Sequence, residues 1–302
     1  MPRRYSLLAL ALLFAYASAA CAEDGFFDSD GVKIHYVVEG EGEPVLLIHG
    51  FAANIQMQWG VSGVIKELAK EYKVIAIDNR GHGRSGKPHD PKQYGLKMVE
   101  DSVRLLDHLK IKKAHVVGYS MGGFITNKLI ATHPDRVVSA TLGGAGWERP
   151  DDDRLKFMNE LATSLETGKG IGPLIVRLTP ANIAKPTDDQ IAGINGMLML
   201  TNDQKALGAV IRGMIEFAVT ADTLRANKVP TLALIGEVDP LKAGVDELAP
   251  VMSNLKVVVI EGADHMSAFT KPKFLGELKP FLAEHSAKND KTPAAAAAGA
   301  SN

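Results

Sequence analysis

Short runs made wholly or mostly of apolar residues recur along this chain, at 45–48, 74–77, 114–117, 137–142, 231–235 and 257–260. A strand can be apolar on every residue only if its sheet is covered on both faces. Helical segments alternate with the first of these runs, at 61–72, 96–109 and 121–132. In the second, Val99, Val103, Leu106 and Leu109 recur at helical spacing with Glu100, Asp101 and Arg104 between them. Strand, helix, strand, helix predicts a mostly parallel, doubly wound α/β sheet with right-handed crossovers. It opens on an antiparallel pair: Phe26-Phe27 and residues 32–38 read as strands, and Asp28-Ser29-Asp30-Gly31 between them as a hairpin turn.

Between 147 and 226 no strand pattern stands out. Helices are expected at 152–166, after the capping box Thr187-Asp188-Asp189-Gln190, and from Asn202 to about Phe217. This reads as a helical cap inserted into the sheet domain. The expected organisation is 1–22 signal peptide, 23–146 first part of the core, 147–226 cap, 227–285 second part of the core with a closing helix at 272–284, and 286–302 a disordered tail with five alanines in a row. The signal reading rests on Arg3-Arg4, the apolar run 7–20 and small residues before Glu23, a run too short to span a bilayer. It predicts an exported, periplasmic or secreted protein. Ser18-Ala19-Ala20-Cys21 also resembles a lipoprotein box, with Ser18 where Leu is usual, so a lipid on Cys21 is the alternative; Arg3-Arg4 as a twin-arginine signal suffers from Ser6.

Composition excludes several classes. Lys and Arg total 34 against 35 Asp and Glu, and no basic stripe occurs, which argues against nucleic-acid binding. The single cysteine, Cys21, cannot make an internal disulfide or a cysteine-based zinc site, and the nine histidines include no H-x-H or H-E-x-x-H. No metal and no cofactor are expected. Gly81-His82-Gly83-Arg84-Ser85-Gly86 imitates a nucleotide loop, but Pro88 stands where a P-loop needs Ser or Thr, and His89-Asp90-Pro91 cannot open the required helix. It reads as a tight turn.

The chemistry centres on Gly118-Tyr119-Ser120-Met121-Gly122, between a strand and a helix. G-x-S-x-G in that setting is a nucleophile elbow, which holds Ser120 on a strained turn with its hydroxyl above the sheet. A hydroxyl nucleophile needs a base, and the base an orienting acid. Asp239 and His265 follow the strands at 231–235 and 257–260, in the chain order Ser, acid, His and at the same sheet edge as Ser120. Glu237 is the rival acid, and Asp264 reads as structural. The backbone N–H groups of Met121 and Phe51 are the candidate oxyanion donors. His49 reads as a buried, hydrogen-bonded histidine. Met197, Met199 and Met214 are core or lining of an apolar pocket.

Together, His49-Gly50-Phe51, Asp78-x-Arg80-Gly81-His82-Gly83-x-Ser85, Gly118-x-Ser120-x-Gly122-Gly123, Asp239 and His265 resemble the α/β-hydrolase superfamily. The narrower likeness is to its capped serine esterase, C–C hydrolase, enol-lactonase and cofactor-free haloperoxidase branch. The resemblance covers about residues 31–284. It implies cleavage of a small or medium carboxylic ester or lactone through an acyl-enzyme, and leaves perhydrolase or haloperoxidase-like chemistry, C–C bond hydrolysis, or a catalytically idle ligand-binding module as alternatives. Related epoxide hydrolases and dehalogenases carry Asp at the elbow, where this chain has Ser120.

Overall fold

The computed structural model describes residues 23–149 and 151–286. The expected signal segment, Cys21 and all but the first residue of the expected tail lie outside them.

The described residues form one eight-stranded sheet: β1 Glu23–Ser29, β2 Val32–Glu39, β3 Glu43–Ile48, β4 Tyr72–Ile77, β5 Ala114–Tyr119, β6 Val137–Gly143, β7 Thr231–Gly236 and β8 Leu255–Ile260. Its order is β1-β2-β4-β3-β5-β6-β7-β8. β1 and β2 pair antiparallel, as do β2 and β4, and every pair from β4 onward is parallel. The hairpin turn sits at Asp30 and Gly31, both at positive φ (56° and 79°), the conformation that a tight two-residue turn demands. Every residue of β5 and β7 is buried, which is why both strands are mostly apolar on both faces, His115 being served by the Ser139 hydroxyl and Thr231 by Val229 O.

Two main cores lie against this sheet. One includes Ile34, Leu46, Ile48, Val116 and Ile125; the other includes Val45, Leu47, Trp59, Val117 and Phe274. Alternate residues of β3 and β5 thus feed opposite faces. Helices α1 Val64–Leu68, α2 Leu96–His108 and α3 Met121–Thr132 connect the first strands. The expected helix at 61–72 is corrected: Gln56–Gly60 is a π-turn, Gly63 at φ 76° restarts the chain into α1, and Tyr72 already belongs to β4.

Between β6 and β7 the described residues carry α4 Asp152–Glu166, α5 Gly172–Leu178, α6 Asp188–Met199, α7 Gln204–Gly213 and α8 Ala221–Ala226. They have their own apolar centre, with Leu161, Leu165, Leu207 and Ile211 buried together. The capping box at Thr187 forms, its hydroxyl accepting from Gln190 N–H while the Gln190 side chain accepts from Thr187 N–H. The helix expected from Asn202 begins at Gln204, because the Asp203 carboxylate caps it, accepting from Ala206 N–H at 3.0 Å. It ends at Gly213, and Met214–Phe217 continues as a 3₁₀ turn. α9 Lys242–Leu248 and α10 Pro272–Glu284 close the fold.

The nucleotide-loop lookalike is a turn. Gly81 N–H donates to Gly86 O at 2.9 Å, and the Ser85 hydroxyl donates to Asp78 O at 2.6 Å. Arg80 is buried in a two-pronged pair with Asp101, both contacts at 2.6 Å, tying this turn to α2.

Candidate active site

The turn between β5 and α3 explains why its glycines must be glycines. A Cβ on Gly118 would stand 2.0 Å from Gly122 O, and one on Gly122 would stand 2.0 Å from Ile48 O. The chain can therefore turn sharply enough to put Ser120 at φ 52°, ψ −119°, a sparsely populated region for a residue with a side chain. The end of β6 and the first turn of α3 hold it there: Ser120 N–H donates to Gly143 O at 2.7 Å, and Ser120 O accepts from Phe124 N–H at 3.1 Å.

The loops after β7 and β8 bring Asp239 and His265 to this serine. His265 Nε2 lies 3.0 Å from Ser120 Oγ, and His265 Nδ1 lies 2.8 Å from Asp239 Oδ2. A carboxylate can only accept, so Nδ1 carries the proton and Nε2 is free to accept from the serine hydroxyl. The other oxygen, Asp239 Oδ1, accepts from Leu241 N–H at 2.8 Å, which fixes the carboxylate's orientation. Asp239 and His265 are both 3% exposed. Glu237 points elsewhere and accepts from Gly262 N–H at 2.9 Å. Asp264 organises its own turn, accepting from the N–H groups of Met266 and Ser267 and from the Ser267 hydroxyl.

Tyr119, inside the elbow motif but not singled out from sequence, donates its hydroxyl to His265 O at 2.6 Å. Burial, with Asp239 and Asp264 nearby, pushes this phenol well above its usual range and keeps the donor proton in place. Gln58 was equally illegible from sequence: its buried Oε1 accepts from Gly50 N–H at 2.7 Å and holds the loop after β3 against the elbow. That loop passes so close that a Cβ on Gly50 would lie 3.2 Å from Ser120 Cβ. It carries Phe51, whose N–H, like that of Met121, donates to no protein acceptor among the described residues.

His49 is fully buried. Its Nδ1 donates to Gly50 O at 2.7 Å, and its Nε2 accepts from Asn79 N–H at 3.0 Å. Burial lowers its pKa, against the pull of Asp78. Burial also pulls the neighbouring His82 down to about 3, helped by His49. Asp78 is opposite in outcome. Burial pushes its carboxyl up, but His35, His49 and the N–H groups of Arg84 and Ile55 bring it to about 2.

Neutral buried histidines make a prediction. Between about pH 6.5 and 3 the unfolded chain protonates His82 and the folded chain does not, so stability rises with pH. On acidification below about pH 6.5 it should fall by roughly 1.4 kcal/mol per pH unit from His82 alone, and His49 acts in the same direction. Urea unfolding at a series of pH values measures the slope. His82→Phe should flatten it, whatever it does to absolute stability, and an unchanged slope would remove His82 as its source.

A cavity of about 900 Å³ opens at Ser120, lined by Phe51, His265 and Phe269 and, from the inserted helices, by Leu178, Ile194 and Leu198. Met197 lines this cavity, Met214 lines a smaller one beside it, and Met199 packs into the core of the inserted helices. Among the described residues no group of three or more His, Cys, Asp or Glu could hold a metal ion.

A family model described as alpha/beta hydrolase fold matches residues 43–165. A stretch of 127 residues is 37% identical to the dihydrolipoyllysine-residue acetyltransferase component of an acetoin cleaving system from Cupriavidus necator, covering 41% of this chain and 32% of that protein. The chain spans about a third to a half of the length of the first curated relatives it matches. A longer match, 27% identical over 254 residues, covers 78% of this chain and 90% of a non-heme haloperoxidase from Rhodococcus erythropolis. The solved structure of an enol-lactonase from Burkholderia xenovorans LB400 is similar in fold, with TM-score 0.71, 23% identity, and coverage of 86% of this chain and 100% of that one.

Proposed function

We propose that the chain, which matches a family model described as alpha/beta hydrolase fold over residues 43–165, is an α/β-hydrolase and more narrowly an exported serine hydrolase cleaving a carboxylic ester or lactone through an acyl-enzyme. The observation that carries this reading is the unbroken relay from Ser120 Oγ through His265 to Asp239, at the mouth of an apolar cavity. Ser120 attacks the carbonyl carbon while His265 Nε2 takes its proton. The carbonyl oxygen, now negative, is held by the N–H groups of Phe51 and Met121. His265 then gives the proton to the leaving oxygen, the C–O bond breaks, and water repeats the sequence on the acyl-enzyme. Asp239 keeps His265 in the productive tautomer and stabilises it when charged. The small-molecule substrate is the partner this reading requires. Labelling by a fluorophosphonate tests it: wild type should label and Ser120→Ala should not. Unlabelled wild type would favour a catalytically idle binding module.

The length of the haloperoxidase match favours peracid formation by the same residues as a second reading. Adding hydrogen peroxide with a carboxylic acid and measuring peracid against ester hydrolysis separates the two. Export rests on residues 1–22, and sequencing the N-terminus of the protein recovered outside the cytoplasm tests it.

The inserted helices 147–226 act here as a cap that receives the apolar arm of the ester. Each methylene buried against them is worth about 0.8 kcal/mol, roughly fourfold in kcat/KM if the contact persists in the transition state. Ile194→Ala and Leu198→Ala should therefore flatten the rise of kcat/KM with alkyl length more than they change turnover of the shortest ester. A length profile identical to wild type in both variants would deny the cap this role.

A further inference from the structure

Ser120 also borders a second, smaller cavity of about 100 Å³. Phe51 and Met121 line it, as do apolar side chains such as Phe124 and Leu161, but so do Glu148, Arg154 and Arg177. Charged groups are costly in such a place unless every hydrogen-bonding atom is served. Glu148 Oε2 pairs with Arg154 Nε, and Arg154 Nη2 donates to Met214 O at 3.2 Å. Arg154 Nη1 is buried and has no hydrogen-bond partner, and Glu148 Oε2 meets Arg154 as an ion pair without a hydrogen bond of ordinary geometry. The side chain is 11% exposed, and its backbone is pinned in the first turn of α4, where Arg154 N–H donates to Asp151 Oδ1 at 2.7 Å. Arg177, on α5 at the outer edge of this cavity, stacks 4.4 Å over the Phe157 ring and makes no ion pair among the described residues. Two guanidiniums and one carboxylate thus line this cavity, and one buried guanidinium donor is unserved. Burial pushes the Glu148 carboxyl up against the pull of Arg154 and Arg177, with a smaller push from Asp151.

The two cavities can be assigned to the two arms of an ester. A general acid must reach the leaving oxygen, and His265 lines the large cavity but not the small one. The alcohol therefore leaves through the large cavity, and the acyl part lies in the small one. A volume near 100 Å³ is about three times a water molecule's share of the liquid, enough for a carboxylate and two or three carbons. We propose that the small cavity receives a terminal carboxylate on the acyl arm, so that the substrates are half-esters of short dicarboxylic acids with a bulky apolar alcohol. The planar guanidinium of Arg154 offers the donor geometry that a carboxylate accepts, and Arg177 adds attraction at the entrance. The inference rests on the serine-hydrolase reading for its chemistry. Ser120 forms the ester bond to the half-acid, the alcohol departs with the proton from His265, and water releases the dicarboxylic acid.

The test compares two esters of one alcohol and similar acyl size, monohexyl succinate and hexyl valerate. Wild type should favour the succinate by at least about tenfold in kcat/KM, the scale of a charge-assisted hydrogen bond. Arg154→Met and Arg177→Met should each reduce that preference about tenfold, mainly through KM, because the contact is made equally in ground and transition states. Arg154→Met leaves Glu148 without its partner, so the double change Glu148→Gln with Arg154→Met preserves volume and charge balance if the single variant misfolds. Calorimetric binding of succinate to wild type, Ser120→Ala and the Arg variants needs no turnover. Succinate binding that Ser120→Ala keeps and the Arg variants lose supports the anion pocket even if no ester is cleaved, an outcome that would sink only the hydrolase reading. Efficient cleavage of hexyl valerate with no succinate preference, or succinate binding indifferent to both Arg variants, would overturn the inference and leave the hydrolase reading standing.

Discussion

Ser120→Ala is expected to remove ester turnover by on the order of 10⁴- to 10⁶-fold in kcat, because serine, histidine and carboxylate act as a unit and nothing near the carbonyl replaces Oγ. Folding should survive. The hydroxyl makes one described hydrogen bond, to His265 Nε2, and the backbone bonds of Ser120 to Gly143 and Phe124 do not involve it. A second substitution sharpens the result. The residue sits at φ 52°, a conformation that alanine tolerates no better than serine and glycine adopts readily. Ser120→Gly should therefore be as inactive as Ser120→Ala yet more stable, by up to about 1 kcal/mol. Initial rates on a short nitrophenyl ester and urea midpoints for the three proteins give both answers. Activity within about tenfold of wild type in either variant would take the nucleophile's role away from Ser120.

The strain at Ser120 was readable because it is enforced locally: two glycines, a strand before and a helix after determine the turn. The parallel strands were readable for a related reason. Double-sided burial leaves few polar positions, and the six strands β3 to β8 each carry a mostly apolar run. Legibility fails where local sequence is indifferent and tertiary contact decides. α5 and α9 have seven residues each, too few for a periodic pattern to stand out. The expected helix at 61–72 broke because Gly63 takes a left-handed conformation and Tyr72 pairs with Glu43 in the sheet. Charge is least legible of all. Glu148 and Arg154 look like surface residues in a polar stretch, and only the packing of α4 and Met214 against the elbow buries them beside Ser120. Gln58 likewise becomes important only once Gly50 is next to it.

Asp239→Asn tests the far end of the relay, and its local hydrogen bonds dictate how it should fail. Asp239 Oδ1 accepts from Leu241 N–H at 2.8 Å, a contact that the amide oxygen of asparagine can keep. Keeping it turns the amide nitrogen, a donor, toward His265 Nδ1. The imidazole must then accept at Nδ1 and carry its proton on Nε2, facing the serine hydroxyl with a donor where a base is required. The protein should fold normally, and kcat should fall by roughly 10⁴. Asp239→Ala removes the Leu241 contact as well, so it should lose activity similarly and also lose stability, by about 1–3 kcal/mol for the N–H group left unserved. Glu237→Gln supplies the control. Its carboxylate accepts from Gly262 N–H at 2.9 Å, a bond that the amide oxygen can replace, and activity should stay within about threefold of wild type. If Glu237→Gln proves crippling while Asp239→Asn turns over normally, the orienting acid is Glu237 and the loop after β7 must rearrange when substrate binds.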